Sequence, residues 1–298
     1  MDYIVTCAEN LSWRELEPFV RSARAGAPQA RLVFFTTRLP PGTGGQLRDA
    51  GVELHSFDAL FPQGSARTAW MRRILWRGGL TLSGRLRYVD FCARLRLRWG
   101  GLLLPRNQAR FFIYRAWLED CTQPGDRLLL CDARDVVFQA NPFTAFPTDG
   151  TFIAEEEPTV PLRHNTYNTR WYRETYGDRL LERHGDQPVI CAGVIGGERS
   201  ALGRMLDTFV EESGRRPHLY GADQAIINHL HYTGRLGCRK LANGDGMVWH
   251  LYGVSPSRVM VGPDHSISEA GRTPCAIIHM YDRHDLTLQA VDRRWRTP

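Results

Sequence analysis

The chain has 298 residues, 43% hydrophobic and 23% charged, with a formal net charge of +6. This composition supports a folded α/β protein, excludes a disordered or collagen-like chain, and holds no apolar run long enough for a bilayer span. The seven cysteines (Cys7, Cys92, Cys121, Cys131, Cys191, Cys238, Cys275) are odd in number and form no C-x-x-C pair, which argues against a disulfide framework or a structural zinc site.

Taken in chain order, Tyr3–Ala8 reads as a first strand. It lacks the basic and long apolar regions of a signal peptide, so a cytoplasmic location is expected. Trp13–Ala25 has helical spacing, with Leu16, Phe19 and Val20 on one side. Arg31–Thr37 reads as a second strand, followed by a Pro/Gly loop, LPPGTGG, and Gly51–Phe57 as a third. Strands alternating with helices imply βαβ units and a mainly parallel sheet.

Residues 64–104 are rich in Arg, Trp and Leu and read as two helical pieces broken at Gly78–Gly79. This insertion could pack on the sheet, lie on an anionic membrane, or contact nucleic acid; packing is favoured and nucleic acid disfavoured. Asn107–Asp120 is an amphipathic helix. Leu128–Leu130 is a buried strand that ends in Asp132 and Asp135. Further strands are expected at Thr151–Glu156, Pro188–Gly196 and Pro274–Met280, and helices at Arg199–Ser213 and Ala222–Tyr232. With no repeat or linker, residues 1–298 are expected to form a single domain.

A buried strand ending in carboxylates can hold a hard cation at a sheet edge. Oxygen ligands suit Mn²⁺ or Mg²⁺, ions that bind through one or two carboxylates plus substrate phosphates. The ordinary alternative is a pair of turn-capping acids. Almost every cation is arginine, Lys240 being the only lysine, and arginine suits bidentate phosphate contacts. GTGG at 42–45 lacks the following Lys-Ser/Thr of a P-loop. Glu155, Glu156 and Glu157 could serve a reacting centre or form a solvated acidic loop. HNTYNTRWYRETYG reads as an aromatic, polar loop around Asn168 and Trp171 that could close over a sugar ring.

DARDVVFQANPF resembles the metal-binding segment of GT-A glycosyltransferases, nucleotide-diphospho-sugar transferases with an acidic motif followed by V-V-F and N/D-P. CAGVIGG at 191–197, GADQAIIN at 221–228 and IIHMYD at 277–282 are similar, in the same order, to that group's N-A/S-G-V-x-x-G strand, D-Q-x-x-x-N helix and late histidine strand. The usual Asn of the first of these is Cys191 here, which leaves its sugar-hydroxyl contact without an amide.

The resemblance implies a GT-A-like α/β fold with a mainly parallel central sheet flanked by helices. It implies a metal site of Asp132, Asp135 and His279, with Asp135 the primary ligand, and a Mn²⁺ or Mg²⁺ cofactor. It places the nucleotide donor on Thr6, Cys7, Ala8, Arg110, Asp132, Ala133, Arg134 and Gly193. Catalytic roles fall to Asp223, Gln224, Glu155 and Glu156. The implied reaction moves a sugar, by default from a UDP-hexose and with retention, to a glycan or lipid-linked acceptor. Two other functions compete: a metal-dependent phosphohydrolase, and a non-catalytic basic protein that binds nucleic acid or membrane. The first needs a second acid two positions after the nucleophile, where this chain has Arg134, and a distal lysine.

Overall fold

The computed structural model describes residues 1–57, 89–147, 150–216 and 220–297. Its centre is a seven-stranded sheet of β1 (Asp2–Cys7), β2 (Arg31–Thr36), β3 (Glu53–Ser56), β4 (Arg127–Cys131), β6 (Thr151–Glu155), β7 (Ile190–Glu198) and β8 (Cys238–Leu241), in the order β3-β2-β1-β4-β7-β6-β8. The strands β3, β2, β1 and β4 run parallel. Strand β7 is antiparallel to both β4 and β6, and β8 returns parallel to β6. The expected α/β class, with a mainly parallel sheet flanked by helices, is borne out.

Both faces of the sheet are covered, which is why its strands are near-continuous apolar runs. In β1, Tyr3 and Val5 enter one core and Ile4 the other; in β4, Leu128 and Leu130 face opposite to Leu129 and Cys131. Burying each leucine contributes about 2 kcal/mol. The first core is closed by α3 (Val89–Leu103), α4 (Arg106–Cys121), α7 (Arg199–Gly214) and α8 (Ala222–Tyr232). The second is closed by α1 (Trp13–Gly26), α2 (Thr43–Asp49) and a small sheet of β5 (Val136–Phe138), β9 (Val248–His250) and β12 (Ile277–His279). Strand β12 runs antiparallel to β5 and parallel to β9. A hairpin of β10 (Val259–Val261) and β11 (Ile267–Glu269) and the helix α9 (Asp285–Trp295) pack outside it.

Two stretches expected to be loops are helical. The GTGG run opens α2, because Gly42 at φ 82° turns the chain and Leu47 anchors the helix in the core. The aromatic segment forms α5 (Thr166–Tyr176), followed by α6 (Asp178–His184). Asn165 starts α5 as its N-cap, its side chain accepting from the Asn168 amide. Of the insertion at 64–104, residues 89–103 are helical; residues 64–88, with the Gly78–Gly79 break, lie outside the described residues. Among the described residues no helix is long and apolar enough to cross a membrane.

Candidate active site

The C-terminal end of β4 delivers Asp132, and the turn into β5 delivers Asp135. Strand β12 lies beside β5, with His279 opposite Val136. The Met280 amide donates to the Asp135 carbonyl at 2.8 Å, so these two strands fix the imidazole against the acids through backbone bonds. Nε2 of His279 lies 3.7 Å from Asp132 Oδ2 and 3.5 Å from Asp135 Oδ1. Met280 holds φ at 60°, a left-handed conformation that a side-chain-bearing residue adopts at some cost and that marks the bend after the histidine.

Donor atoms of Asp132, Asp135 and His279 all lie within 4.8 Å of one another. An O, O, N set of this size fits Mn²⁺ or Mg²⁺. Gly193 forms the adjoining wall; a Cβ there would stand 2.3 Å from His279 Cε1 and 2.8 Å from Asp132 Oδ2. Only glycine leaves this cradle open. Behind the ring, His279 Nδ1 is 2.8 Å from His250 Nδ1 and 3.5 Å from Cys191 Sγ. Burial works against a charge on His279, while Cys191 and the Asp135 carboxylate favour one, and the balance lies well above the ordinary imidazole pKa. Burial opposes ionisation of Asp135 as well, yet His279 holds its pKa below the usual value. Burial and the neighbouring His279 keep His250 neutral. His250, Cys191 and His279 form a second, buried group with donor atoms within 4.8 Å.

Arg110, on α4, crosses the floor of the site. It donates to Asp132, to Asp223 Oδ2 at 3.2 Å and to the Ala192 carbonyl at 3.2 Å. Burial disfavours its charge, but Asp132 and Asp223 hold the guanidinium firmly ionised. Asp223 also accepts from Asn107 at 2.7 Å. Burial raises the Asp223 pKa, and Arg110 offsets part of that rise.

The D-Q-x-x-x-N run on α8 has a structural task. Strand β4 pairs with β7 only from Val194 onward, so Ile190 and Ala192 lack a strand partner on that edge. Side-chain amides substitute for one. Asn228 accepts from the Ile190 amide and donates to its carbonyl, both at 2.9 Å. Gln224 accepts from the Ala192 amide at 2.8 Å, and its NH₂ reaches Ile190 O at 2.9 Å and Glu156 Oε1 at 3.1 Å.

Glu156 follows β6 and is buried. Asn165 donates to its second oxygen at 3.3 Å. Burial pushes its carboxyl up to about 7, in the range of a group that works at neutral pH. Glu155 and Glu157 point elsewhere, pairing with Lys240 and, at 2.9 Å, with Arg258.

Asp132, Asp135, His279, Arg110, Asp223, Gln224 and Glu156 line one cavity of about 410 Å³. Of the residues expected from the sequence, Cys7, Arg110, Asp132, Ala133, Arg134, Asp135, Glu156, Gly193, Asp223, Gln224 and His279 line it. Thr6, Ala8 and Glu155 do not. Thr6 and Ala8 are fully buried on alternate positions of the β1 segment from Cys7, and Glu155 is turned to Lys240. A register shift between Ile153 and Glu155 decides which glutamate faces the cavity. Sequence reasoning missed His250, Asn107, Asn165, Tyr220 and Tyr252. His250 sits in the three-residue apolar run VWH, the one local signal that could have marked it.

No protein-family model matches the chain, and no characterised protein matches it in sequence. Among solved structures, it is similar to the galactosyltransferase LgtC in complex with donor and acceptor sugar analogs, with 15% identity and a TM-score of 0.49 over 100% of this chain and 98% of that one. It is also similar to an active-site mutant of LgtC, with 16% identity and a TM-score of 0.46 over 99% and 94% of the two chains.

Proposed function

We propose that the protein is a metal-dependent glycosyltransferase that moves a hexose from a UDP-linked donor to a glycan acceptor with retention of configuration. One observation carries this reading: two carboxylates and an imidazole converge at the end of a buried strand, in the same cavity as a buried carboxyl poised near neutrality. Asp132, Asp135 and His279 would hold Mn²⁺ or Mg²⁺, which supplies Lewis-acid stabilisation of the charge on a departing diphosphate.

The chain's own residues account for the rest. Arg110 keeps Asp132 in place. Arg134 and Arg283 line the same cavity and can neutralise phosphate oxygens. The bond between the anomeric carbon and the diphosphate oxygen breaks, and its electron pair leaves with the diphosphate. The acceptor oxygen bonds to the anomeric carbon, and its proton passes to the departing diphosphate. Glu156, as a carboxylate, offsets the positive charge that develops on the sugar, and that charge in turn favours its ionised form. Gln224 and Asn165 hold both its oxygens, so it needs no rearrangement.

The phosphohydrolase alternative lacks its lysine: Lys240 is tied to Glu155 and does not line the cavity. The test is thermal stabilisation by UDP. With Mn²⁺ and UDP at a hundred times its Kd, unfolding free energy should rise by about 2.7 kcal/mol. The rise should vanish without metal and in Asp135→Ala. Equal stabilisation by UDP in that variant would refute the proposal.

A further inference from the structure

The cavity is not uniform. Arg106, Arg110, Arg134 and Arg283 supply its charged part, beside the carboxylates. Another part is aromatic. Tyr167 and Trp171 on α5 lie at a ring separation of 5.9 Å and an interplanar angle of 32°. Tyr220 meets Trp171 at 5.9 Å, and Tyr252 meets Tyr167 at 6.4 Å, so four rings from three segments join into one wall. All four line the cavity.

This wall is built, and it is open. Gly221, at φ 79°, lies so close beneath Trp171 that a Cβ would stand 2.2 Å from the indole; the ring rests flat on backbone. Yet Tyr167 is 58% exposed and Tyr220 67%, unusual for rings that share an aromatic cluster. The charged residues of α5 take no part: Arg170 pairs with Glu174, Arg173 pairs with Asp178, and none lines the cavity. The polar groups beside the rings are the neutral amides of Asn165 and Asn168. Asn165, which caps this helix, also donates to Glu156, so the rings stand within a turn of helix of the proposed reacting centre.

We propose that this aromatic wall is the acceptor subsite and takes a neutral pyranose, stacked by its C–H face on Trp171 and Tyr167, with hydroxyls on the asparagine amides. A ring bearing phosphate or carboxylate would find no cation supplied by α5, whose arginines are paired away from the cavity, whereas an apolar sugar face on an aromatic ring gains both dispersion and an electrostatic fit. The assignment deepens the glycosyltransferase reading and rests on it for the word acceptor.

Saturation-transfer NMR with methyl β-D-glucopyranoside and methyl β-D-galactopyranoside, on protein loaded with UDP and diamagnetic Mg²⁺, tests it. At least one glycoside should receive saturation from the wild type, and the acyclic polyol sorbitol should not. Trp171→Ala should weaken glycoside binding by about tenfold, Trp171→Phe by no more than about threefold, and Mn²⁺-dependent UDP affinity should stay within about twofold. Tyr167→Ala, at an exposed position, repeats the test without touching the packing on Gly221. No glycoside binding to wild type, or equal binding to Trp171→Ala, overturns the proposal. So does a matching fall in UDP affinity, because the wall would then hold the nucleotide base. Should UDP fail to bind the wild type while glycosides bind through Trp171, the transferase reading falls and the sugar site stands.

Discussion

Glu156→Gln tests the buried carboxyl through folding as well as through catalysis. Burial carries this group from 4.5, its ordinary value, to about 7 in the fold. Between those two pH values the folded protein keeps a proton that the unfolded chain has released. The contribution to stability is therefore complete below pH 4.5 and is lost as pH rises through 7. At about 1.36 kcal/mol per pH unit the loss reaches about 3 kcal/mol by pH 8. At 4% exposure the group has little solvent to screen it. Glutamine keeps the shape, the neutral state and an acceptor for Asn165 or Gln224, and it does not titrate. Urea unfolding of both proteins at pH 5 and pH 8 isolates the effect, since every other titration is shared. Wild type should lose about 2.5 kcal/mol more than Glu156→Gln over that interval. In the same variant, transfer should fall by about a hundredfold or more while UDP affinity holds. Parallel stability curves would show that the carboxyl is hydrated and its poise near neutrality unfounded.

Two more outcomes follow from the geometry. Gly193→Ala puts a methyl 2.3 Å from His279 Cε1, so Mn²⁺ affinity of the folded protein, read by electron paramagnetic resonance, should drop by about tenfold or more; an unaltered Mn²⁺ Kd means that Asp132 and His279 do not share an ion. Asn228→Ala strands the Ile190 amide in a dry site, while its carbonyl keeps the bond from Gln224, and should cost about 1–3 kcal/mol in urea unfolding; a change under 0.5 kcal/mol would show that another group takes over the edge.

The acids and the late histidine were legible because Asp132 follows one apolar strand, Asp135 opens the next and His279 ends a third, and buried strands announce themselves by continuous hydrophobicity. The D-Q-x-x-x-N run was legible as a motif, but its role in closing an unpaired strand edge was not, since that depends on where β4 stops. Three consecutive glutamates could not be ranked from sequence, because the pairing of β6 with β7 shifts register between Ile153 and Glu155, and an odd shift changes which side chains share a face. Helix α5 escaped because its buried face, Asn168, Tyr172 and Thr175, carries no aliphatic residue, and because Tyr167 and Trp171 turn towards the cavity. His250 escaped because a histidine in a three-residue strand looks like any other core residue.

The bond from Met280 to Asp135 joins segments that lie far apart in the order of synthesis. A ribosome releases the acidic turn early, and that turn must wait for its imidazole partner until the last strand of the small sheet emerges and slots in. The three-residue cluster is thus completed only in a molecule in which β12 has been made and seated. Translation stalled before residue 277 would leave a nearly whole β1–β8 framework whose two cleft acids have no imidazole beside them.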